Sequence, residues 1–147
     1  DGAEIVYALR VHTHKIMTLN LSVGTRLPAY CTSMGRVLLA ELPDDEIARR
    51  LKAMPPVQKT RHTVTDVDTL MTRIRQVRQQ GWALVSEELE EGLISIAAPV
   101  YNRQGRAIAA LNVSGQLRRT SVSAVKETLL PQLRAAADEV SRLLGRT

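Results

Sequence analysis

The stretch GWALVSEELEEGLISIAAPVYNRQGRAIAALNVSG, residues 81–115, decides the fold because its pattern predicts three consecutive β-strands. Residues 93–101 form an almost uninterrupted apolar run, and residues 106–114 form a second one. The four residues between these runs end in Gly105, which can adopt the left-handed conformation that hairpin turns require. The last two strands are therefore predicted to form an antiparallel hairpin.

Polar side chains interrupt the apolar runs at a few positions that this hairpin brings together. Pairing the strands directly across the turn places Ser95 opposite Asn112. Ser114 then lies opposite Leu93, on the same sheet face, because strand side chains alternate with a period of two. Their expected neighbours on that face are Leu93, Ala97, Ile108 and Ala110. Polar groups on an apolar face need partners. They either bond one another and the backbone, or are the placed polar groups of a small-molecule pocket.

Composition and charge narrow the class of protein. The chain has 147 residues, which suits one domain, with one Trp, three Tyr and no Phe. This scarcity of aromatic residues disfavours base-stacking surfaces for single-stranded nucleic acid. A single Cys excludes an internal disulfide and favours a cytoplasmic protein. The sequence contains no apolar run long enough for a membrane span. Because the chain begins with Asp1 rather than Met, we expect it to be part of a longer protein.

The net charge of +5 comes from basic residues scattered at helix-surface spacings, without a compact basic block. This distribution favours a solvated surface over a nucleic-acid patch, and it also suits attraction of small organic anions.

Periodicity along the rest of the chain predicts an α+β layer fold. Alternating residues predict two strands, at 4–11 and 16–23, with a connecting loop at 24–29. Apolar residues at helical spacing predict helices at 32–42, 43–53, 66–80 and 120–145. The last helix is expected to kink or break at Pro131, and its predicted apolar face comprises Val122, Val125, Leu129, Leu133, Ala136, Val140 and Leu143. Strands joined by hairpins, with helices grouped between and after them, imply an antiparallel sheet flanked by helices.

The start of the first helix is a candidate ligand contact. Thr32 or Ser33 can cap it, and the first turn of a helix has unpaired N–H groups and partial positive charge. Gly35 within that turn would let a ligand approach the backbone, so the segment could bind a carboxylate. The alternative is an ordinary capped helix in which Gly35 packs against a neighbour.

Motifs for established enzyme classes are absent from the sequence. It contains no G-x-S-x-G, HExxH, P-loop or G-x-G-x-x-G pattern, and no nucleophile with an adjacent base. His12, His14 and His62 with Cys31 make only a weak zinc pattern, so no metal, cofactor or catalytic residue is predicted.

The acidic run at Glu87, Glu88, Glu90 and Glu91 allows two interpretations. Two of these carboxylates could serve as a general acid and base, or the run could be a solvated turn between strands. Glu87, at the expected strand end, is the member that could face a pocket and accept a hydrogen bond from a ligand hydroxyl.

Three segments resemble the C-terminal effector-binding domain of the IclR family of bacterial transcriptional regulators. They are LPAYCTSMGRVLLAELP at 27–43, GWALVSEELEEGLISIAAPV at 81–100 and RAIAALNVSG at 106–115. The shared features are a small-residue helix start ending in Gly-Arg, an acidic run before the apolar strand, and a closing Ser-Gly. The variants in this chain are most similar to the subgroup that regulates aromatic-acid catabolism, whose members answer to protocatechuate, 4-hydroxybenzoate or β-ketoadipate.

This resemblance implies a single effector-binding domain over residues 1–147 with a GAF/profilin-like fold. It implies that operator DNA is bound by a winged helix-turn-helix domain absent from this chain, and that the protein forms homodimers or dimers of dimers. Carried over by position, the family pocket includes Met34, Gly35, Leu93, Ser95, Asn112 and Ser114. Many members have consecutive acidic residues where this chain has Val85 and Ser86. A ligand contact assigned to the first of those acids cannot be transferred to this chain, so Glu87 is our substitute for it.

The resulting hypothesis is a domain that senses a small organic acid. Backbone N–H groups of Ser33, Met34, Gly35 and Arg36 would bind its carboxylate. Its hydroxyl or keto groups would be bound by Ser95, Asn112, Ser114 and Glu87, and apolar walls would come from Met17, Met34 and Leu93. The alternatives are an enzyme that uses Glu87 and Glu88 with a Ser or His, and a purely structural oligomerisation module without a cavity.

Overall fold

Strands and helices alternate in groups along the chain. The computed structural model describes residues 4–6 and 26–145, with only the backbone described at Val6. The strands are β1 (Glu4–Val6), β2 (Arg26–Pro28), β3 (Ala83–Ser86), β4 (Leu93–Tyr101) and β5 (Ala107–Gln116). The helices are α1 (Ser33–Leu39), α2 (Asp44–Ala53), α3 (Val67–Gln80), α4 (Val122–Ala124) and α5 (Leu130–Gly145), with a π-helical turn at Val125–Leu129. Among these residues, no helix is long and apolar enough to cross a bilayer.

The N-terminal region contains a short strand, β2, that the sequence did not predict. β1 pairs antiparallel with β2, at residues expected to form a connecting loop. The predicted hairpin between 4–11 and 16–23 lies mostly outside the described residues.

The central sheet has the order β3-β4-β5, and both pairs are antiparallel, which confirms the three strands predicted from residues 81–115. The register, however, is displaced by two residues: Ser95 lies opposite Ser114, and Ala97 lies opposite Asn112. One residue of the shift comes from the turn. Asn102 N–H donates to the Arg106 carbonyl at 2.9 Å, which leaves a three-residue loop with Gly105 at φ +77°.

The second residue of the shift comes from an irregularity next to Tyr101. Val100 pairs with Ala109 and Tyr101 with Ala107, so Ile108 is skipped. Since the two shifts add to an even number, the residues of β5 from Ala109 to Gln116 keep the sheet face that the sequence predicted. Ala107, on the turn side of the irregularity, is displaced by one residue only.

The sheet separates two apolar cores. The first core lies between one sheet face and helices α1, α2 and α3, and its buried members include Val37, Ile47, Leu70, Ile74 and Ala97. The second core lies between the opposite face and the C-terminal helices, and it includes Ile94, Ile96, Ala98, Val125 and Leu133. β4 therefore contributes alternate residues to both cores.

Helix α3 forms at the residues where apolar periodicity predicts a helix. The Asp66 carboxylate accepts the Thr69 N–H at 2.9 Å, and Gly81 ends the helix at φ +83°. Its buried residues are Leu70, Met71, Ile74 and Val77. Val67, predicted on the same face, is exposed in the first turn.

The break expected near Pro131 is a π-helical turn. The Leu130 N–H donates to the carbonyl of Val125, five residues earlier. Pro131 has no N–H, and its ring would crowd the carbonyl four residues before it in an α-helix, so wider winding relieves that contact. The extra residue rotates α5, which corrects the predicted apolar face: Ala137 is buried, whereas Ala136 is exposed.

Candidate ligand-binding site

A chain of polar side chains connects the start of α1 to the sheet. The hydroxyl oxygens of Ser33 and Ser95 are 2.5 Å apart. The Asn112 amide donates to Ser95 Oγ at 3.4 Å and to Ser114 Oγ at 3.3 Å. The two bonds from Asn112 are long and therefore weak, so its N–H groups could exchange them for bonds to a ligand.

Local structure directs each of these polar side chains into the space between the start of α1 and the sheet. Thr32 caps α1: its hydroxyl oxygen accepts the Gly35 N–H at 3.2 Å, and its hydroxyl donates to the Pro28 carbonyl at 2.9 Å. This cap fixes Ser33 as the first helical residue, over the sheet. Ser95 and Ser114 form a cross-strand pair, and Asn112 follows on β5 with the same face orientation.

A narrow cavity lies beside these groups. Its walls approach so closely that it accommodates roughly one ordered water molecule. One end is lined by hydroxyl and amide groups, and the remainder is mostly apolar. The lining residues are Ile5, Leu27, Cys31, Thr32, Ser33, Met34, Val85, Leu89, Leu93, Ser95, Asn112 and Ser114.

Most of the residues predicted as ligand contacts line this cavity. They are Ser33, Met34, Leu93, Ser95, Asn112 and Ser114. Met17 lies outside the described residues, as do His12 and His14 of the weak zinc pattern. Within residues 4–6 and 26–145, no cluster of three His, Cys, Asp or Glu side chains could hold a metal ion.

Gly35 has a different role from the one proposed for it. A Cβ atom at this position would lie 2.3 Å from the Ala29 carbonyl oxygen and 2.4 Å from the Ala29 Cα. Its amide is engaged by the Thr32 hydroxyl. Gly35 therefore lets α1 pack against the backbone of the preceding loop, and it does not line the cavity.

Arg36 and Glu87 also lie outside the cavity wall. The Arg36 N–H, proposed as a carboxylate donor, instead donates to the Thr32 carbonyl at 3.0 Å. The Arg36 side chain is buried, with Nη2 at 2.5 Å from Glu88 Oε1 and Nε donating to the Tyr30 carbonyl at 2.9 Å. Glu87 would face the cavity if β3 continued, but its backbone turns at φ +61°. Its carboxylate instead accepts the Gly92 N–H at 3.0 Å and lies 3.5 Å from His62 Nε2.

Sequence reasoning missed several lining residues, which are Ile5, Leu27, Cys31, Thr32, Val85 and Leu89. Alternation along β3 places Val85 on the same sheet face as Ser95, its direct partner on β4. Leu89 is the single apolar residue within the acidic run. An isolated apolar residue among charged ones indicates a side chain that faces inward, so the sequence could have predicted this contact.

The cavity wall is electrically neutral among the described residues. No charged side chain within residues 4–6 and 26–145 lines it. Burial raises the pKa of the Cys31 thiol to about 11, despite the nearby charges of Lys59 and Arg36, so this group stays protonated at neutral pH. The backbone N–H groups of Ser33 and Met34 form no hydrogen bond within the described ranges. The site therefore offers hydrogen-bond donors at one end and apolar surface at the other.

The structure is thus an α+β domain with a small cavity between helix α1 and the sheet. Residues 1–142 match the family model described as bacterial transcriptional regulator IclR C-terminal. The chain is a member of the IclR family, as its sequence motifs predicted.

Relatives with curated functions or solved structures agree with this membership. The chain is 43% identical to the Pca regulon regulatory protein of Pseudomonas putida, over 98% of this chain and 50% of that protein. A putative transcriptional regulator from Rhodococcus sp. RHA1, RHA06195, superposes with a TM-score of 0.93 at 44% identity, covering 98% of this chain and 59% of that one.

A ligand complex is among the similar structures. It is a double mutant of the PobR transcription factor inducer-binding domain from Acinetobacter with 3-hydroxybenzoic acid. It has a TM-score of 0.87 and 35% identity, and the match covers 97% of this chain and 84% of that one. The chain spans about half the length of the curated relatives it matches. These relatives are regulators, which decides against the enzyme alternative based on Glu87 and Glu88.

Proposed function

We propose that this domain binds a small organic acid, an aromatic acid or one of its catabolites, as the effector of an IclR-type regulator. The observation that carries the proposal is the cavity between α1 and the sheet, with hydroxyl and amide groups at one end and apolar walls elsewhere. An aromatic acid combines these two properties in one small molecule. The structural relative that contains 3-hydroxybenzoic acid supports the same ligand class.

Recognition of the carboxylate would rely on neutral donors. The hydroxyls of Ser33, Ser95 and Ser114 and the amide of Asn112 converge within one hydrogen-bonded chain. Hydrogen bonds to an ionised group are roughly twice as strong as neutral ones, so a few such donors can bind a carboxylate without a cation. The unbonded N–H groups of Ser33 and Met34 add two further donors beside them.

The apolar part of the ligand would lie against Val85, Leu89 and Leu93. Because the cavity is narrow, side chains have to move apart when the ligand enters. Met34 is suited to this movement, since its unbranched side chain adopts many shapes at low cost.

Binding would change the regulator's affinity for its operator by favouring one domain or subunit arrangement over another. We place operator contact in a winged helix-turn-helix domain outside this chain. We further propose a cytoplasmic homodimer or dimer of dimers, in keeping with the family.

Calorimetric titration with a panel of acids tests the proposal. The panel contains 3-hydroxybenzoate, 4-hydroxybenzoate, protocatechuate and β-ketoadipate. We expect heat of binding for at least one of them, and a loss of affinity of about tenfold or more in Ser95→Ala, because a hydrogen bond to a charged group is removed.

Ser86→Ala is the matched control. It makes the same chemical change on the same sheet, at a β3 position that alternates away from the cavity. Affinity should be unchanged in this variant. Absence of heat with every acid, from a folded wild-type domain, would contradict the proposed ligand class.

A further inference from the structure

The ion pair between Arg36 and Glu88 differs from the others in the described residues. Their side chains are 3% and 7% exposed, whereas the ion pairs on α2, on α5 and between Asp44 and α3 have both side chains at least 22% exposed. A buried pair needs further hydrogen bonds to offset the loss of hydration. Arg36 Nε supplies one of these by donating to the Tyr30 carbonyl.

Glu88 belongs to a non-repetitive segment between β3 and β4, the 87–92 turn, which is held from two sides. Its carboxylate accepts from Arg36 and from the Val64 N–H at 3.2 Å. The Thr63 hydroxyl donates to the Glu88 carbonyl at 2.6 Å. The Thr60 hydroxyl donates to the preceding carbonyl, that of Glu87, at 2.5 Å.

Leu89 follows Glu88 directly and is the one residue of this turn that lines the cavity. It lies between strands, and its own backbone forms no hydrogen bond among those of the described residues. Its position therefore depends on its neighbours, and Glu88 is the neighbour with buried anchors. Helix α1 is involved twice, because Ser33 and Met34 line the cavity and Arg36 on the same helix holds Glu88.

We propose that Arg36 and Glu88 are positioning residues that hold Leu89 against the cavity. Effector affinity then depends on this ion pair, although neither side chain lines the cavity. The predicted effect of the ion pair on effector affinity rests on the proposed function. Its predicted effect on the position of the 87–92 turn does not.

The test removes both charges together. A single substitution would leave a buried charge without a partner and would unfold the domain for reasons unrelated to the cavity. The variant is therefore Arg36→Met with Glu88→Leu, which keeps the positions filled with apolar volume. Arg142→Met with Glu139→Leu, an exposed ion pair on α5, is the matched control.

Hydrogen exchange in the ligand-free domain gives the first result. The amides of Glu87, Gly92 and Leu93 are bonded within the 87–92 turn. We expect them to exchange at least about tenfold faster in the buried-pair variant, with α3 amides unchanged, because opening is local. Equal acceleration of all amides, or none, would show that the pair does not position the turn.

A double-mutant cycle on ligand affinity gives the second result, with 3-hydroxybenzoate and the other panel acids as probes. The buried-pair variant should weaken binding by about tenfold, but by less than about twofold when Leu89→Ala is already present. Equal losses in both backgrounds would overturn the proposal. If no acid binds the wild-type domain, the proposed function fails, and hydrogen exchange alone decides the positioning role.

Discussion

Cys31 is the residue most completely enclosed by the site. It is fully buried, it lines the cavity, and it is the single cysteine of the chain. Because the thiolate is the reactive form, a pKa near 11 makes this thiol inert at neutral pH. We expect negligible reaction with a disulfide reagent at pH 8 in the folded domain and complete reaction in denaturant, measured by absorbance. Rapid labelling of the folded domain would show that the cavity is open.

The same pKa shift affects stability at alkaline pH. The folded domain holds the thiol proton more tightly than the unfolded chain, where the ordinary value is 9.0. This contribution to stability is complete below pH 9 and is lost as the pH rises from about 9 towards 11. Cys31→Ala should not show this loss, which makes it the control for the labelling experiment and for alkaline unfolding.

The contacts of single residues were predictable where strand alternation governs them. Ser95, Asn112 and Ser114 share a face under any pairing displaced by an even number of residues, so the register error did not matter. Arg36 and Glu87 lie outside the cavity wall for a different reason. The Arg36 N–H donates to the Thr32 carbonyl as the first hydrogen bond of α1, and Glu87 is turned by a positive φ that its residue type does not indicate.

At the scale of elements, the π-helical turn decides which face of α5 is buried. Ala137 is 1% exposed, whereas Ala136 faces solvent. Ala137→Asp should lower the free energy of unfolding by about 3 kcal/mol or more, since it buries a carboxylate without a partner. Ala136→Asp should lower it by less than about 1 kcal/mol, mainly through the lower helix propensity of Asp.

Chemical denaturation of the two variants measures this difference. The substitutions are chemically identical and adjacent, so helix propensity and net charge cancel in the comparison. A larger loss of stability in Ala136→Asp than in Ala137→Asp would mean that α5 continues the phase of α4 without the extra residue.

Helix positions followed from the sequence where the ends carry chemical signals. α2 begins with three acidic residues, and α3 has the Asp66 cap and Gly81. Pro131 indicated that the last helix would break, but the form of the break depends on how the helix packs on the second core. The loop geometry that displaced the β4–β5 register likewise depends on local backbone conformation rather than on hydrophobic pattern.

At the scale of the whole molecule, the two faces of β4 differ in role: one packs in the second core, and the other lines the candidate ligand site. Ile96 faces the second core and is fully buried, whereas the adjacent Ser95 faces the cavity. Ile96→Val should lower the free energy of unfolding by about 1 kcal/mol through a lost methylene, and leave effector affinity unchanged. Thermal denaturation and calorimetric titration, both with Ser95→Ala in parallel, measure the two quantities.

Ser95→Ala should show the opposite behaviour, with reduced affinity and a smaller change in stability. Each titration is made at a temperature where the domain is fully folded. A loss of affinity in Ile96→Val comparable to that in Ser95→Ala would mean that the two sheet faces are coupled.

The separation of the two faces has a consequence for how such a domain diversifies. Substitutions at alternate positions of two strands could retune which metabolite is detected, while the side chains that hold the domain together stay untouched. Libraries restricted to those positions should therefore yield biosensors with new inducers and few misfolded clones.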